Sequence, residues 1–397
     1  MKKVLISFLF LVLSLSVIGC DFVGAENVEY TDDMYSDFID FNLNTLSEID
    51  TADNFLFSPL SLYYCLSILY SYSSDIAEQE FETLYGITKD EMLSQIAALT
   101  NELPQSDDYT DFYFANTVYY DNTNSIYLLE GLEEYIQEFD YELAEVDFPS
   151  GDAGRRLIEK ITEGTDGFLS PSESAFEFLK DMSLLINNTI YYRGSWITKF
   201  SPESTEDGTF FLNDESEQIV SMMVKLDFNS SYYESDNATA AQKFFMDGSS
   251  MIFVLPNEGY SLGDIINNHN EMMKLIQPDT YFTHSSILLT IPKFSFYSDF
   301  ELITPLNNLG LISIFSPSRT NFNLISNSNL YVDTIRQITK IQVDEEGVKV
   351  AGSTTSGVTT STGPVEIIEF IVNRPFIYII LSPDEIPMFF GAMYFIN

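Results

Sequence analysis

One stretch limits what this chain can become. From Asp344 to Phe376 it reads DEEGVKVAGSTTSGVTTSTGPVEIIEFIVNRPF. An acidic turn at Gly347 leads into small and hydroxylated side chains, and apolar character returns abruptly at Val365. Between Val350 and Pro364 there is no charge and no aromatic ring. A linker has a similar composition, but a linker joins two domains, and the residues after Pro364 are too few to form one. A long unstructured loop within a domain is uncommon and usually functional; a disordered surface insertion is the competing reading. The loop also alternates. Val348, Val350, Gly352, Thr354, Ser356, Val358 and Thr360 are small or β-branched and uncharged, whereas Lys349, Ser353, Thr355 and Thr359 are polar. Successive strand side chains point to opposite faces, so the first set can line a buried sheet face and the second can face water. The segment is a loop that could also be a strand.

The chain is 397 residues long, enough for one large domain or two to three smaller ones. Hydrophobic residues make up 45% and aromatics 15%, ample for a sizeable core, so global disorder is excluded. The formal charge of −42 repels nucleic acid, heparin-like polyanions and anionic lipid. Residues 1–19 read as a targeting segment: Lys2 and Lys3, then an apolar run shorter than a comfortable membrane span. Its end, V-I-G-C, resembles the bacterial lipobox, which implies cleavage before Cys20 and lipid on its thiol. The expected location is therefore extracytoplasmic, anchored in the cell envelope; a plainly secreted protein is the alternative. With Cys20 lipidated, Cys65 has no disulfide partner and reads as a core residue.

Along the chain, the pattern predicts an amphipathic helix over 26–48, a short strand NFLFS at 54–58, and an apolar helix opened by Pro59 and Ser61. Helices are expected at 75–105, 126–144, 155–163, 262–276 and 300–309. Strands are expected at 112–120, 183–192, 210–212, 218–224, 250–256, 286–298, 340–345, 367–372, 376–382 and 387–396. Many strands, with helices concentrated early and no dividing linker, point to an α+β fold over 20–397 as one domain.

Recognised catalytic and metal signatures are missing. The two histidines, His269 and His284, have no partner at metal-ligand spacing, so no metal and no cofactor is expected. No nucleophile elbow, zinc-protease helix, P-loop or dinucleotide fingerprint occurs. The chain is not expected to be an enzyme.

The order of its pieces resembles the serpin family over nearly all of 20–397. NFLFSPLSLYYCLSILY carries Asn54, Phe57, Ser58, Pro59 and Ser61; LLINNTIYYRGSWITKF carries Asn188, Tyr191, Gly194, Trp196 and Phe200. LLTIPKFSFYSDFELITPLNNLGLISIF carries Pro292, Lys293, Phe294, Leu306, Leu309, Gly310 and Phe315, and FIVNRPFIYII carries Asn373, Arg374, Pro375 and Phe376. FFGAMY is similar to the family's closing strand. The resemblance implies three β-sheets with eight to nine helices and an exposed reactive-centre loop at about 347–364. It implies a monomeric inhibitor of serine proteases: the loop is cut, the protease is trapped as an acyl-enzyme, and the loop inserts into the main sheet. It also implies a hinge through Glu345, Gly347, Val348, Val350, Gly352 and Thr354. Two further clusters follow from it: a shutter of Ser58, Ser61, Asn188 and Gln337, with Gln337 able to bond Asn188, and a breach at Trp196.

The hinge departs from the family pattern at Val348 and Val350, which are larger than the usual Thr and Ala, and Gln337 stands where inhibitory members usually carry His. A non-inhibitory binding module on the same fold is the runner-up reading. Counting from Gly347 and back from Phe376 places the cut at Ser361–Thr362. No Arg or Lys lies between Lys349 and Arg374 and no aromatic between Val350 and Glu369. Val358, Thr359, Thr360 and Ser361 therefore suit a small-pocket enzyme, elastase-like or subtilisin-like.

Overall fold

Capping chemistry sets the early helices. The computed structural model describes residues 30–49, 53–121, 141–182, 184–316, 318, 322, 331–332, 334–347 and 367–396. Thr31 accepts from the Met34 amide to open α1 (Asp32–Ser47), whose first turn carries Asp32 and Asp33 at the positive end of the helix dipole. Ser58 caps α2 (Pro59–Tyr72), with Pro59 where a missing N–H costs nothing. The second helix is buried almost all round, as its apolar sequence requires. Next come α3 (Asp75–Tyr85), stopped by Gly86 in a left-handed conformation, and α4 (Lys89–Asn101), opened by a Thr88–Glu91 capping box. Phe41, Tyr63 and Tyr85 meet between the first three helices, with Tyr63 edge-on to both of the others.

The strands, with their connecting helices, run β1 (Phe55–Phe57), β2 (Thr110–Asp121), β3 (Tyr141–Val146), α5 (Asp152–Gly164), β4 (Leu184–Gly194), β5 (Thr205–Phe211), β6 (Glu217–Glu234), β7 (Ala238–Phe244) and β8 (Ser250–Pro256). Short helices α6 (Leu262–Ile266), α7 (His269–Leu275) and α8 (Pro278–Tyr281) follow. Then come β9 (Thr283–Pro292), β10 (Phe294–Glu301), α9 (Ile303–Asn308), β11 (Arg336–Val343), β12 (Ile367–Ile371), β13 (Phe376–Leu381) and β14 (Pro387–Met393). The fold is α+β with nine α-helices among the described residues.

Three hydrogen-bonded sheets result. The largest runs β1-β14-β13-β8-β7-β6-β9-β12, with β5 also on β6. The other two are β3-β2-β4 and β10-β11. β6 is 18 residues long and serves two halves of the large sheet, pairing β5 early, β7 late and β9 from Met222 to Tyr232. β1 is joined to the last strand, Phe55 opposite Ala392. Strands β8, β13 and β14 are buried at every position, which explains their unbroken apolar sequences.

Several sequence expectations shift. Residues 141–144 are strand, not helix: Leu143 pairs with Val118 in a parallel ladder, and six residues are too few for periodicity to separate the two states. The rest of that expected helix, 126–140, lies outside the described residues. The run 286–298 is two strands, because Lys293 is where the chain leaves the large sheet for β10. Phe300 and Glu301 continue β10 opposite Gln337 and Arg336, so the helix after them starts only at Ile303. The helix expected over 262–276 breaks at Asn267–Asn268, where Asn268 caps the second piece. Strand β7, ATAAQKF, was not expected; its residues have little strand preference, and pairing on both sides imposes the conformation.

Candidate functional site

The site is a sheet with its middle missing. β4 and β11 run side by side as the inner edges of the two small sheets, yet no ladder joins them among the described residues. One isolated bridge, Ser195 with Gly347, closes the end where both strands finish. Toward their beginnings the strands frame a cavity of about 370 Å³. Leu62, Cys65 and Leu66 of α2 line it, with Leu157 and Ile161 of α5. Burial pushes the Cys65 thiol up to about 12, which keeps it protonated.

Across the middle of the gap lie two polar pairs. Gln337 accepts from the Ser58 amide at 2.7 Å and donates to the Ser58 carbonyl at 2.9 Å. The Ser58 hydroxyl donates to the Met388 carbonyl at 2.8 Å and accepts from the Ser61 amide at 3.2 Å. This side ties β11 to the start of α2 and to β14. Asn188 on β4 turns elsewhere: its Nδ2 donates to Asn116 Oδ1 of β2 at 2.6 Å. Asn188 Oδ1 is buried and accepts nothing. Three of the four expected cluster residues, Ser58, Ser61 and Gln337, are thus bonded together on one bank of the gap, and Asn188 stands apart on the other with Asn116. The Gln337–Asn188 bond is not formed: the Gln337 amide turns to the Ser58 backbone and the Asn188 amide to Asn116.

The closed end is fastened through the residues that lead into the loop. Trp196 is fully buried, stacked on Phe245 at 4.3 Å, and its Nε1 donates to the Asp344 carbonyl at 3.1 Å. Backbone bonds run from Trp196 N to Glu346 O at 3.0 Å and from Phe200 N to Glu345 O at 3.1 Å. The Glu345 carboxylate meets Lys293 Nζ at 2.7 Å and accepts from Thr205 Oγ1 at 2.9 Å. Desolvation pushes Glu345 upward, but bonds from Lys293, its own amide and Thr205 together hold its carboxyl below the usual value. Glu346 pairs with Lys199 at 2.6 Å. Behind them Lys243 is wholly buried against Asp227 at 2.5 Å and lies over the Trp196 and Phe200 rings; burial lowers its pKa and Asp227 opposes that.

Gly347 is the last residue described before the loop. It has φ +143°, and an added Cβ would overlap the Gly194 carbonyl oxygen and lie 2.9 Å from Ser195 Cα. Only glycine fits. Val348, Val350, Gly352, Thr354, Val358, Thr359, Thr360, Ser361 and Thr362 fall outside the described residues, as does Cys20. The chain reappears at β12, parallel to β9 with Ile367 opposite Ser286, in the large sheet. The two roots of the loop therefore sit in different places, one at the split sheet and one in the nine-stranded sheet.

Sequence reasoning missed Asn116, Thr205, Lys199 and the Lys243–Asp227 pair. Lys293 was visible only as part of a motif. A signal existed for two of them: with 18 Lys and Arg against 60 Asp and Glu, any cation close to a loop root is worth a partner search.

Comparison with known proteins agrees with this geometry. The family model described as Serpin (serine protease inhibitor) matches residues 37–395. The chain is 23% identical to serine protease inhibitor 88Ea of Drosophila melanogaster, across 89% of this chain and 87% of that one. It is 25% identical to the leukocyte elastase inhibitor of Xenopus laevis, across 87% and 94%. Among solved structures, the thermophilic serpin tengpin in its native state superposes with a TM-score of 0.83 at 20% identity, covering 94% of this chain and 96% of that one. Tengpin in its latent state gives 0.76, at 20% identity, with 92% and 100% covered. The chain belongs to the serpin family.

Proposed function

We propose that the chain is a suicide inhibitor of serine proteases with small-residue preference, elastase-like or subtilisin-like. The protease serine attacks the Ser361 carbonyl, the bond to Thr362 breaks, and Ser361 stays esterified to the enzyme. The freed segment from Val348 to Ser361 then enters between β4 and β11 and carries the enzyme with it. The gap between β4 and β11, bridged among the described residues at the end where the loop begins, carries this reading. Strand addition would complete the ladders that both inner edges lack, and the filled sheet is the lower-energy state held off by a barrier. Val348 and Val350 would pack on the buried face; their extra bulk slows entry without barring it.

The test is a denaturing gel after mixing with porcine elastase and with subtilisin. A covalent complex, with a released peptide starting at 360–364, supports the proposal. Cutting within 359–363 without a complex defeats it and leaves a non-inhibitory binding module on the same fold.

Residues 1–19 are proposed as a lipoprotein signal, with Cys20 lipidated and 20–397 held at the outer side of a membrane as a monomer. Mass spectrometry of the membrane fraction should find a diacylglyceryl Cys20 as the first residue; an unmodified Cys20 or a different start refutes it.

A further inference from the structure

In a chain with 18 Lys and Arg against 60 Asp and Glu, one cation sits entirely inside. Lys243 Nζ lies 2.5 Å from Asp227 Oδ2, and both side chains are buried. Such a pair adds little to fold stability, because the desolvation of two charges offsets their attraction. What the pair does is therefore read from what it holds. Apart from Asp227, the contacts of the ammonium fall on one five-residue segment, 196–200. Nζ donates to the Thr198 carbonyl at 2.7 Å and lies over the Trp196 and Phe200 rings, at 5.4 and 4.9 Å from their centres. We infer that Lys243 is a positioning residue for the loop root: its ammonium, kept in place by Asp227, shapes residues 196–200 into the grip that holds the loop out. The consequence for the loop rests on the inhibitory reading; the positioning does not.

Both ends of the segment grip. Trp196 N donates to Glu346 O at 3.0 Å, Trp196 Nε1 to Asp344 O at 3.1 Å, and Phe200 N to Glu345 O at 3.1 Å. The first end is fixed by its backbone: Trp196 bridges Phe245, and Ile197 N donates to Phe244 O at 3.0 Å. From Thr198 to Phe200 neither helix nor strand holds the chain. There the Thr198 carbonyl and the Phe200 ring, both on the same ammonium, set where the Phe200 amide points. Charge suits lysine to the task. A neutral donor could hold one carbonyl, but a cation also attracts two ring faces and so ties both ends of the segment to one point.

A strand entering between β4 and β11 has to part Ser195 from Gly347 and Trp196 from Glu346. The grip therefore belongs to the loop-out form alone. Weakening it should speed loop entry and leave the inserted form untouched, whereas a general structural role would weaken both forms.

The experiment removes both charges together, Lys243→Met with Asp227→Leu, so that no lone buried charge remains. In uncut protein, spontaneous loop entry on warming, followed on native gels, should run about tenfold faster for the loss of one charge-assisted hydrogen bond. After cutting by subtilisin, the thermal midpoint should match that of cut wild type. Trp196 is the one tryptophan of the chain, and its quenching by acrylamide in uncut protein should rise severalfold. Should this variant not fold, Lys243→Gln with Asp227→Asn, which stays closer in size and polarity, takes the same three readings with the same expectations. An entry rate equal to wild type overturns the inference. So does a cut-protein midpoint lowered as far as the uncut one, or failure of both variants to fold, either being the mark of a general structural role. Should cutting leave the wild-type midpoint unmoved, the inhibitory reading fails by itself. The quenching then decides, and unchanged quenching overturns the positioning.

Discussion

Glu345 and Gly347 show how much of the proposed mechanism rests on single residues at the loop root. Glu345→Gln keeps the size and removes the charge that Lys293 meets at 2.7 Å. Lys293 is 40% exposed, so screening trims the pair, and the expected loss is about 1 kcal/mol from the loop-out state. Because the folded Glu345 carboxyl is held below its ordinary value, its contribution is complete above the unfolded pKa. It disappears as pH falls through the lower folded value, below about 4.3. Spontaneous loop entry of the wild type should therefore accelerate on acidification, while Glu345→Gln should show a flatter profile over the same window. Native gels after incubation at stepped pH measure both; parallel profiles would refute the pin. Gly347→Ala is more severe. It combines a disallowed φ with overlap on the Gly194 carbonyl, and about 2 kcal/mol or more should be lost from the uncut protein. An unchanged urea midpoint would contradict the geometry.

At the scale of elements, β4 and β11 hold separate polar pairs. Asn188→Ala and Gln337→Ala should each hasten loop entry on warming, and their effects on uncut stability should add within about 0.5 kcal/mol. Asn188→Ala and Asn116→Ala should couple, since they share the 2.6 Å bond. A strong coupling between Asn188 and Gln337 would mean the banks close in solution. The element scale is also where the sequence was most and least legible. Helix α2 declared itself through Ser58, Pro59 and a largely apolar body, and β13 and β14 through unbroken apolar runs. The resemblance named both banks of the gap, because Asn188 and Gln337 sit in or near motifs. Their partners stayed hidden: Asn116 is 72 residues from Asn188, and Ser58 is 279 from Gln337. Pairings at such separations follow from sheet order, which local periodicity does not encode. Strand β7 and the change of sheet at Lys293 were illegible for the same reason.

For the whole molecule, the proposed insertion into the split sheet requires that the uncut protein not be at its stability maximum. Cutting in the loop by subtilisin should raise the thermal midpoint by tens of degrees, far beyond the few degrees per kcal/mol that trimming a passive loop produces. Circular dichroism melts before and after cutting measure it, and an unmoved midpoint refutes insertion. The same molecule joins its beginning to its end: β1, at Phe55–Phe57, lies against β14, at Pro387–Met393. During synthesis, then, β1 waits for its partner while the ribosome makes every strand between them, and the β14 side of β13 stays open until β14 emerges. A ribosome stalled a few codons short releases a chain with two sticky edges and no way to close them. A protein ending at Ser382 should collect in the insoluble fraction, which makes β14 the strand on which both edges close.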